Sequence, residues 1–233
     1  MNSPEPDITV VLMTYNERET LRAVTEEIRT ALTVLGRPWE ILIVDDGSTD
    51  GSGAAADALA AEDPAIRVLH HAPNGGLGVV YRSGFSGARG RFITFFPADG
   101  QFPPGIIGTF RSAAEDQDLV LGYLPERRGA PLSWFLSKLE RILYRVLVGP
   151  MPRFQGIMLF RRELLGRVRL HSEGRGWGVV MEFVLRVSRG GHRVVSLPTM
   201  VRPRAHGRSK VNNLRTIWAN LRQMFLLRRV LAR

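Results

Sequence analysis

Apolar residues in the first half of the chain come in two alternating rhythms. Ile8-Thr9-Val10-Val11-Leu12-Met13 is an unbroken, β-branched run, the pattern of a strand buried on both faces. It empties into Thr14-Tyr15-Asn16-Glu17, after which Leu21, Val24, Ile28, Ala31 and Leu32 recur at helical spacing. With Asn16 placed to cap it and Glu19 in its first turn, this predicts a helix over 17–35, stopped by Gly36 and Pro38. Trp39 to Val44 reads as a second strand, Asp45-Asp46-Gly47-Ser48-Thr49-Asp50-Gly51 as its turn, and the alanine-rich stretch to Glu62 as a helix. Ile66–His70 gives a third strand, Asn74-Gly75-Gly76-Leu77-Gly78 opens another helix, and Arg91–Phe96 gives a fourth strand. A helix around 106–115 and a strand at Leu119–Gly122 complete this half.

Strands alternating with helices at this rhythm predict an α/β fold with a parallel sheet, whose ligands lie beyond the carboxyl ends of the strands. Three polar clusters therefore fall on one edge: TYNE after the first strand, DDGSTD after the second, PADGQ after the fourth. The second half is less regular. Trp134–Val148 is amphipathic and basic, Gly178–Ser188 suggests a helix, Val194–Leu197 a short strand, and Asn213–Arg233 a second basic amphipathic helix. Met158 and Met224 read as core. One domain over 1–212 is expected, followed by a helix over 213–233 that docks on it or lies on a membrane surface.

Composition adds limits. There is no cysteine among the 233 residues, so disulfides and thiolate metal sites are excluded. The segment Leu132–Met151 is the most apolar long stretch, yet Lys138, Glu140, Arg141 and Arg145 interrupt it, so no spanning helix is expected. The N-terminus lacks the pattern of a secretory signal, and the expected location is cytoplasmic, peripheral on the inner face of the plasma membrane if the basic helices meet lipid. The net charge of +10 is almost wholly arginine and favours anionic partners, although an arginine-rich solvated surface gives the same number. No nucleic-acid motif appears.

The candidate chemistry sits at the strand ends. Asp45 and Asp46 can accept from a base N–H or ribose hydroxyls, with Gly47 allowing the sharp turn; the same seven residues also read as an ordinary capped turn. The NGGLG loop can bring backbone N–H groups to a phosphate, though it is neither a P-loop nor a dinucleotide fingerprint, and a plain loop fits it as well. Asp99 and Gln101 follow the fourth strand, with Pro97 where a metal site would hold a second carboxylate.

The ordered segments VVLMTYNERETL, EILIVDDGSTDGS, NGGLGVVYRSGF and FITFFPADGQFPP resemble the opening of family 2 glycosyltransferases with the GT-A fold. Farther on, WGVVMEFVLRVSRGGHRVVSLP and VRPRAHGRSKV are similar to the polyprenyl-phosphate (dolichyl-phosphate) sugar synthase branch, so the resemblance covers residues 8–212. It implies a mostly parallel, Rossmann-like sheet flanked by helices, with a C-terminal amphipathic helix. It also implies inverting transfer of a sugar from a nucleotide-diphosphate donor to a polyprenyl phosphate. Transfer to a soluble small-molecule acceptor is the alternative, and a non-catalytic nucleotide- or nucleic-acid-binding protein a remote one. Carried over by residue, Thr14, Tyr15, Glu17, Asp45, Asp46 and Gly78 are expected at the donor nucleotide. Asp99 and Gln101 match the metal-binding motif and would hold Mg²⁺ or Mn²⁺ with help from the diphosphate, less firmly than two acids would; the alternative is that arginines neutralise the leaving diphosphate without a metal. Arg204 and Lys210 are expected in catalysis, and Arg127, Arg128, Glu182, Arg202 and Ser209 around the acceptor or its phosphate. Where many relatives carry a Glu-Asp pair whose Asp is a general base, this chain reads Met181-Glu182-Phe183. A phosphate monoester is already nucleophilic and needs cations, not a base. Two further departures lie on the acceptor side: Pro152 replaces an acid, and Leu124 replaces an arginine after the fifth strand.

Overall fold

The computed structural model of the chain describes residues 5–125, 145–202 and 214–232. Strands β1 (Ile8–Thr14), β2 (Trp39–Asp45), β3 (Ile66–His70) and β4 (Phe92–Pro97) pair in parallel, connected through helices α1 (Arg18–Val34), α2 (Ser52–Glu62) and α3 (Leu77–Gly87). Helix α4 (Ile106–Ala113) leads to β5 (Leu119–Tyr123). There follow β6 (Met158–Arg161), the single turn α5 (Leu164–Arg167), helix α6 (Gly178–Arg189), β7 (Val194–Pro198) and helix α7 (Leu214–Leu231). Among the described residues these strands form one sheet in the order β3-β2-β1-β4-β6-β5-β7.

Strand β6 has no counterpart in the sequence reading, and it runs antiparallel to both neighbours. Its four residues are all apolar except the last, so neither period marks it as a strand. Its direction follows from where it starts. Gln155 N donates to Gly122 O and Gly122 N to Ile157 O, so the chain enters β6 at the edge where β5 ends and has to run back. Met158, taken as core from the sequence, is fully buried in it.

Burial on both faces explains the unbroken apolar runs. One face of the sheet packs Val10, Leu12, Ile41 and Ile43 against Leu21, Val24, Ile28 and Leu32 of α1 and Phe110 of α4. The other packs Val11, Leu42, Val44, Phe95 and Phe160 against Val80 and Tyr81 of α3 and Phe183 and Val187 of α6. Each such side chain contributes roughly 1.5–3 kcal/mol when fully buried. An aromatic cluster fixes the second layer, with Tyr81 and Phe95 centroids 4.5 Å apart and Phe160 and Phe183 centroids 4.6 Å apart. Gly84 lets α3 come this close, for a Cβ there would stand 2.5 Å from the Phe95 ring. Helix α7 lies against α6 through buried Met224 and Leu227, and Arg186 of α6 donates to Val230 O at 2.8 Å.

Candidate active site

The three polar clusters meet at the carboxyl edge and hold one another in place. Parallel register sets Thr14 beside Asp45 and Met13 beside Pro97. Beyond the strands, Asp46 N donates to Thr14 O and Ala98 N to Met13 O. The start of α1 is tied to the DDGSTD turn: Asn16 N donates to Ser48 Oγ, Glu17 N to Ser52 Oγ and Arg18 N to Asp50 Oδ2. Thr20 Oγ1 donates to Ala98 O at 2.6 Å, which closes the ring onto the Asp99 loop. Asn16 does not cap α1 as expected. It stands at a left-handed φ of 56°, and its side-chain oxygen accepts from Thr49 N at 2.8 Å, so it braces the neighbouring turn.

Asp45 and Asp46 sit at this edge but are nearly fully buried, and each is engaged by a histidine from the end of β3. His71 Nδ1 lies 2.7 Å from Asp46 Oδ1, and the same carboxylate accepts from Asn74 Nδ2, Gly75 N and Gly76 N. With four donors on two oxygens, Asp46 is saturated from within the chain. Through these bonds Asp46 fixes the NGG loop. Asp45 keeps more capacity, accepting from Ser48 N at 3.2 Å and facing His70 Nδ1 at 3.1 Å. The second ring nitrogen of His70 lies 2.9 Å from Asp57 Oδ1. Hydrogen bonds to Asp57 and then to Asp45 raise the His70 pKa above its ordinary value, against a smaller opposing effect of burial. The sequence reading missed both histidines, although they follow directly on β3 and His70 is the register partner of Asp45.

Gly78 lies at the start of α3, against segment 171–176. Its N–H donates to Arg175 O at 2.8 Å, and a Cβ there would stand 2.1 Å from Gly174 O. The glycine permits close approach of segment 171–176 to the start of α3. Arg82 secures the same segment from carbonyls of Ser172, Glu173 and Gly174, and Arg175 reaches Asn74 O at 2.7 Å. Glu182, expected near the acceptor, is fully buried on α6. Its carboxylate accepts from His171 N, Ser172 N and Arg186 Nε, the last at 2.8 Å, so it anchors the base of segment 171–176. Phe183, where a general base would stand, is in the core.

At the centre of the edge, the Thr14 hydroxyl is buried and has no hydrogen-bond partner. A buried hydroxyl without a partner calls for an explanation, and a bound ligand or water at this edge would supply one. Tyr15 beside it is half-exposed at the mouth. Glu17 starts α1 at the same rim. Asp99 Oδ1 accepts from Gln101 N at 3.0 Å, turning the loop so that both side chains belong to one tight bend. Among the described residues no three His, Asp or Glu gather as a preformed metal site. Arg202 N donates to Gln101 O of this loop at 2.7 Å, and its guanidinium donates to Glu27 Oε2 of α1 at 2.7 Å. Arg127, Arg128, Arg204, Ser209 and Lys210 lie outside the described residues.

Residues 9–171 match the family described as Glycosyl transferase family 2. The chain belongs to that family. It is a glycosyltransferase working from a nucleotide-sugar donor. Undecaprenyl-phosphate mannosyltransferase of Micrococcus luteus is 30% identical to this family 2 glycosyltransferase over 216 residues, 88% of this chain and 87% of that protein. Polyprenol monophosphomannose synthase of Mycolicibacterium smegmatis is 32% identical over 222 residues, 90% of this chain and 82% of that one. Among solved structures, glucosyl-3-phosphoglycerate synthase from Mycobacterium tuberculosis in complex with UDP has a TM-score of 0.67 at 19% identity, covering 97% of this chain and 81% of that one. Mannosyltransferase PcManGT from Pyrobaculum calidifontis, in complex with GDP-Man and Mn²⁺, has a TM-score of 0.62 at 21% identity, covering 89% and 59%. These structural likenesses carry the fold, and the GT-A architecture expected from the motifs is the one found.

Proposed function

We propose that this family 2 glycosyltransferase moves a hexosyl group from a nucleotide-diphosphate sugar to a polyprenyl phosphate, with inversion. A phosphate oxygen of the acceptor attacks the anomeric carbon, the bond from that carbon to the diphosphate breaks, and nucleoside diphosphate leaves. The observation that carries the reading is the state of α6: Glu182 is fully buried and bonded to two amides and Arg186, and Phe183 is in the core. A hydroxyl acceptor would lack the base that α6 supplies in many relatives, whereas a phosphate monoester arrives ionised. The activities named for the Micrococcus and Mycolicibacterium relatives agree with this acceptor class.

The Thr14 hydroxyl, Tyr15, Glu17 and the remaining capacity of Asp45 define the donor side. A divalent cation fits the Asp99–Gln101 bend as a loosely held group, because the bend offers one carboxylate and one amide and the donor diphosphate and water would complete the shell. When bound, the cation neutralises charge on the leaving diphosphate. Mn²⁺ accompanies the nucleotide sugar in the PcManGT structure.

The outer face of α7 suits a lipid surface. Phe225 and Leu226 are exposed among exposed Arg222, Arg228 and Arg229, while Met224 and Leu227 face inward. Apolar side chains flanked by arginines fit an anionic headgroup layer. No helix among the described residues is long and apolar enough to cross a membrane.

The test is transfer from a panel of GDP- and UDP-hexoses to a short-chain prenyl phosphate with Mg²⁺ or Mn²⁺. A lipid-linked monosaccharide phosphate is the expected product. Transfer to a soluble hydroxyl acceptor, with none to prenyl phosphate, would overturn the proposal.

A further inference from the structure

We infer that Arg153 binds the phosphate of the acceptor, in place of the arginine absent at Leu124. This rests on the acceptor class proposed above. Strand β5 ends at Tyr123, and the guanidinium carbon of Arg153 stands 5.4 Å from the centre of the Tyr123 ring. That distance is a cation–π contact, and it holds an exposed side chain against one platform. Among the described residues no carboxylate pairs with Arg153, which is exposed. Arg202 and Arg175, described cations of neighbouring segments, are engaged by Glu27 and Asn74.

The backbone places Arg153 at the carboxyl edge of the sheet, beside the end of β5. Gln155 N donates to Gly122 O at 2.7 Å, and Gln155 Oε1 accepts from Leu124 N at 3.3 Å, so segment 153–156 is pinned to the end of β5 beside Leu124. Gly156, at a φ of 101°, lies against Phe102, the residue after Gln101; a Cβ at 156 would stand 2.4 Å from that ring. The same segment thus touches the β5 terminus on one side and the Asp99–Gln101 bend on the other. A planar guanidinium there can bind two phosphate oxygens at once, next to where the leaving diphosphate would sit.

The experiment is steady-state kinetics of the full chain with a short-chain prenyl phosphate, donor and Mn²⁺, comparing wild type, Arg153→Ala, Arg153→Lys and Tyr123→Leu. Arg153→Ala is expected to raise KM for prenyl phosphate about tenfold or more while donor KM stays put. Arg153→Lys keeps charge without the fork and should fall between. Tyr123→Leu should raise the acceptor KM by a smaller factor. Unchanged acceptor KM in Arg153→Ala overturns the inference and leaves the acceptor class standing, and a rise in donor KM instead assigns Arg153 to the donor diphosphate and equally overturns it. Absence of transfer to prenyl phosphate by the wild type overturns the acceptor class, and this inference with it.

Discussion

His70 Nδ1 lies 3.1 Å from Asp45 Oδ2 while the other ring nitrogen faces Asp57, so a proton is needed on each side of the ring. The pair makes the end of β2 sensitive to pH. Because the folded pKa of His70 is raised by Asp57 and Asp45, the stability it contributes is fully present below the unfolded value of about 6.5 and is lost as pH rises through the folded value. Thermal midpoints of wild type and His70→Gln should therefore differ most at the acid end of a pH 6 to 9 series and converge toward the alkaline end. A gap that widens with pH would contradict the doubly bonded imidazolium. Asp57→Asn, which removes the larger cause, should lower the His70 titration midpoint seen by NMR.

Gly78→Ala puts a methyl group where only 2.1 Å separates it from Gly174 O, and backbone cannot yield as a flexible side chain can. A destabilisation of about 1–3 kcal/mol is expected from the overpacking. Urea denaturation measures it, and an unchanged midpoint would mean that segment 171–176 is not docked on α3 as described.

Glu182→Gln leaves Arg186 without its carboxylate partner in a site where Glu182 is fully buried. Breaking a buried pair costs about 3–5 kcal/mol, and the lower end applies because Arg186 is partly exposed. The same measurement checks it.

Asp99→Asn can keep the bond from Gln101 N and so keep the bend, while removing the charge. Turnover is expected to fall at least about a hundred-fold, with the tertiary circular dichroism unchanged. Wild-type turnover would remove Asp99 from the chemistry.

Phe225→Ser combined with Leu226→Ser removes apolar area from the outer face of α7 without touching Met224 or Leu227. Sedimentation with anionic liposomes should drop, and the thermal midpoint should hold. Equal sedimentation would place the lipid-facing surface elsewhere.

Much of this was legible in the sequence. Periods of 2 and 3.6 and continuous apolar runs are local properties, and they located β1 to β5, α1, α6 and β7 to within about two residues. Strand β6 was not legible because three apolar residues and an arginine carry no period, and its direction depends on where β5 ends.

The sequence alone determined that TYNE, DDGSTD and PADGQ share one edge, since strand–helix alternation dictates a parallel sheet and a parallel sheet brings its strand ends together. Only the tertiary structure decided what each acid does there. The donors that saturate Asp46 come from 25 to 30 residues away, and those that saturate Glu182 come from the segment before its own helix and from Arg186. A carboxylate reads the same in sequence whether it faces a ligand or its own chain; its hydrogen-bond partners, which exist only after folding, make the difference.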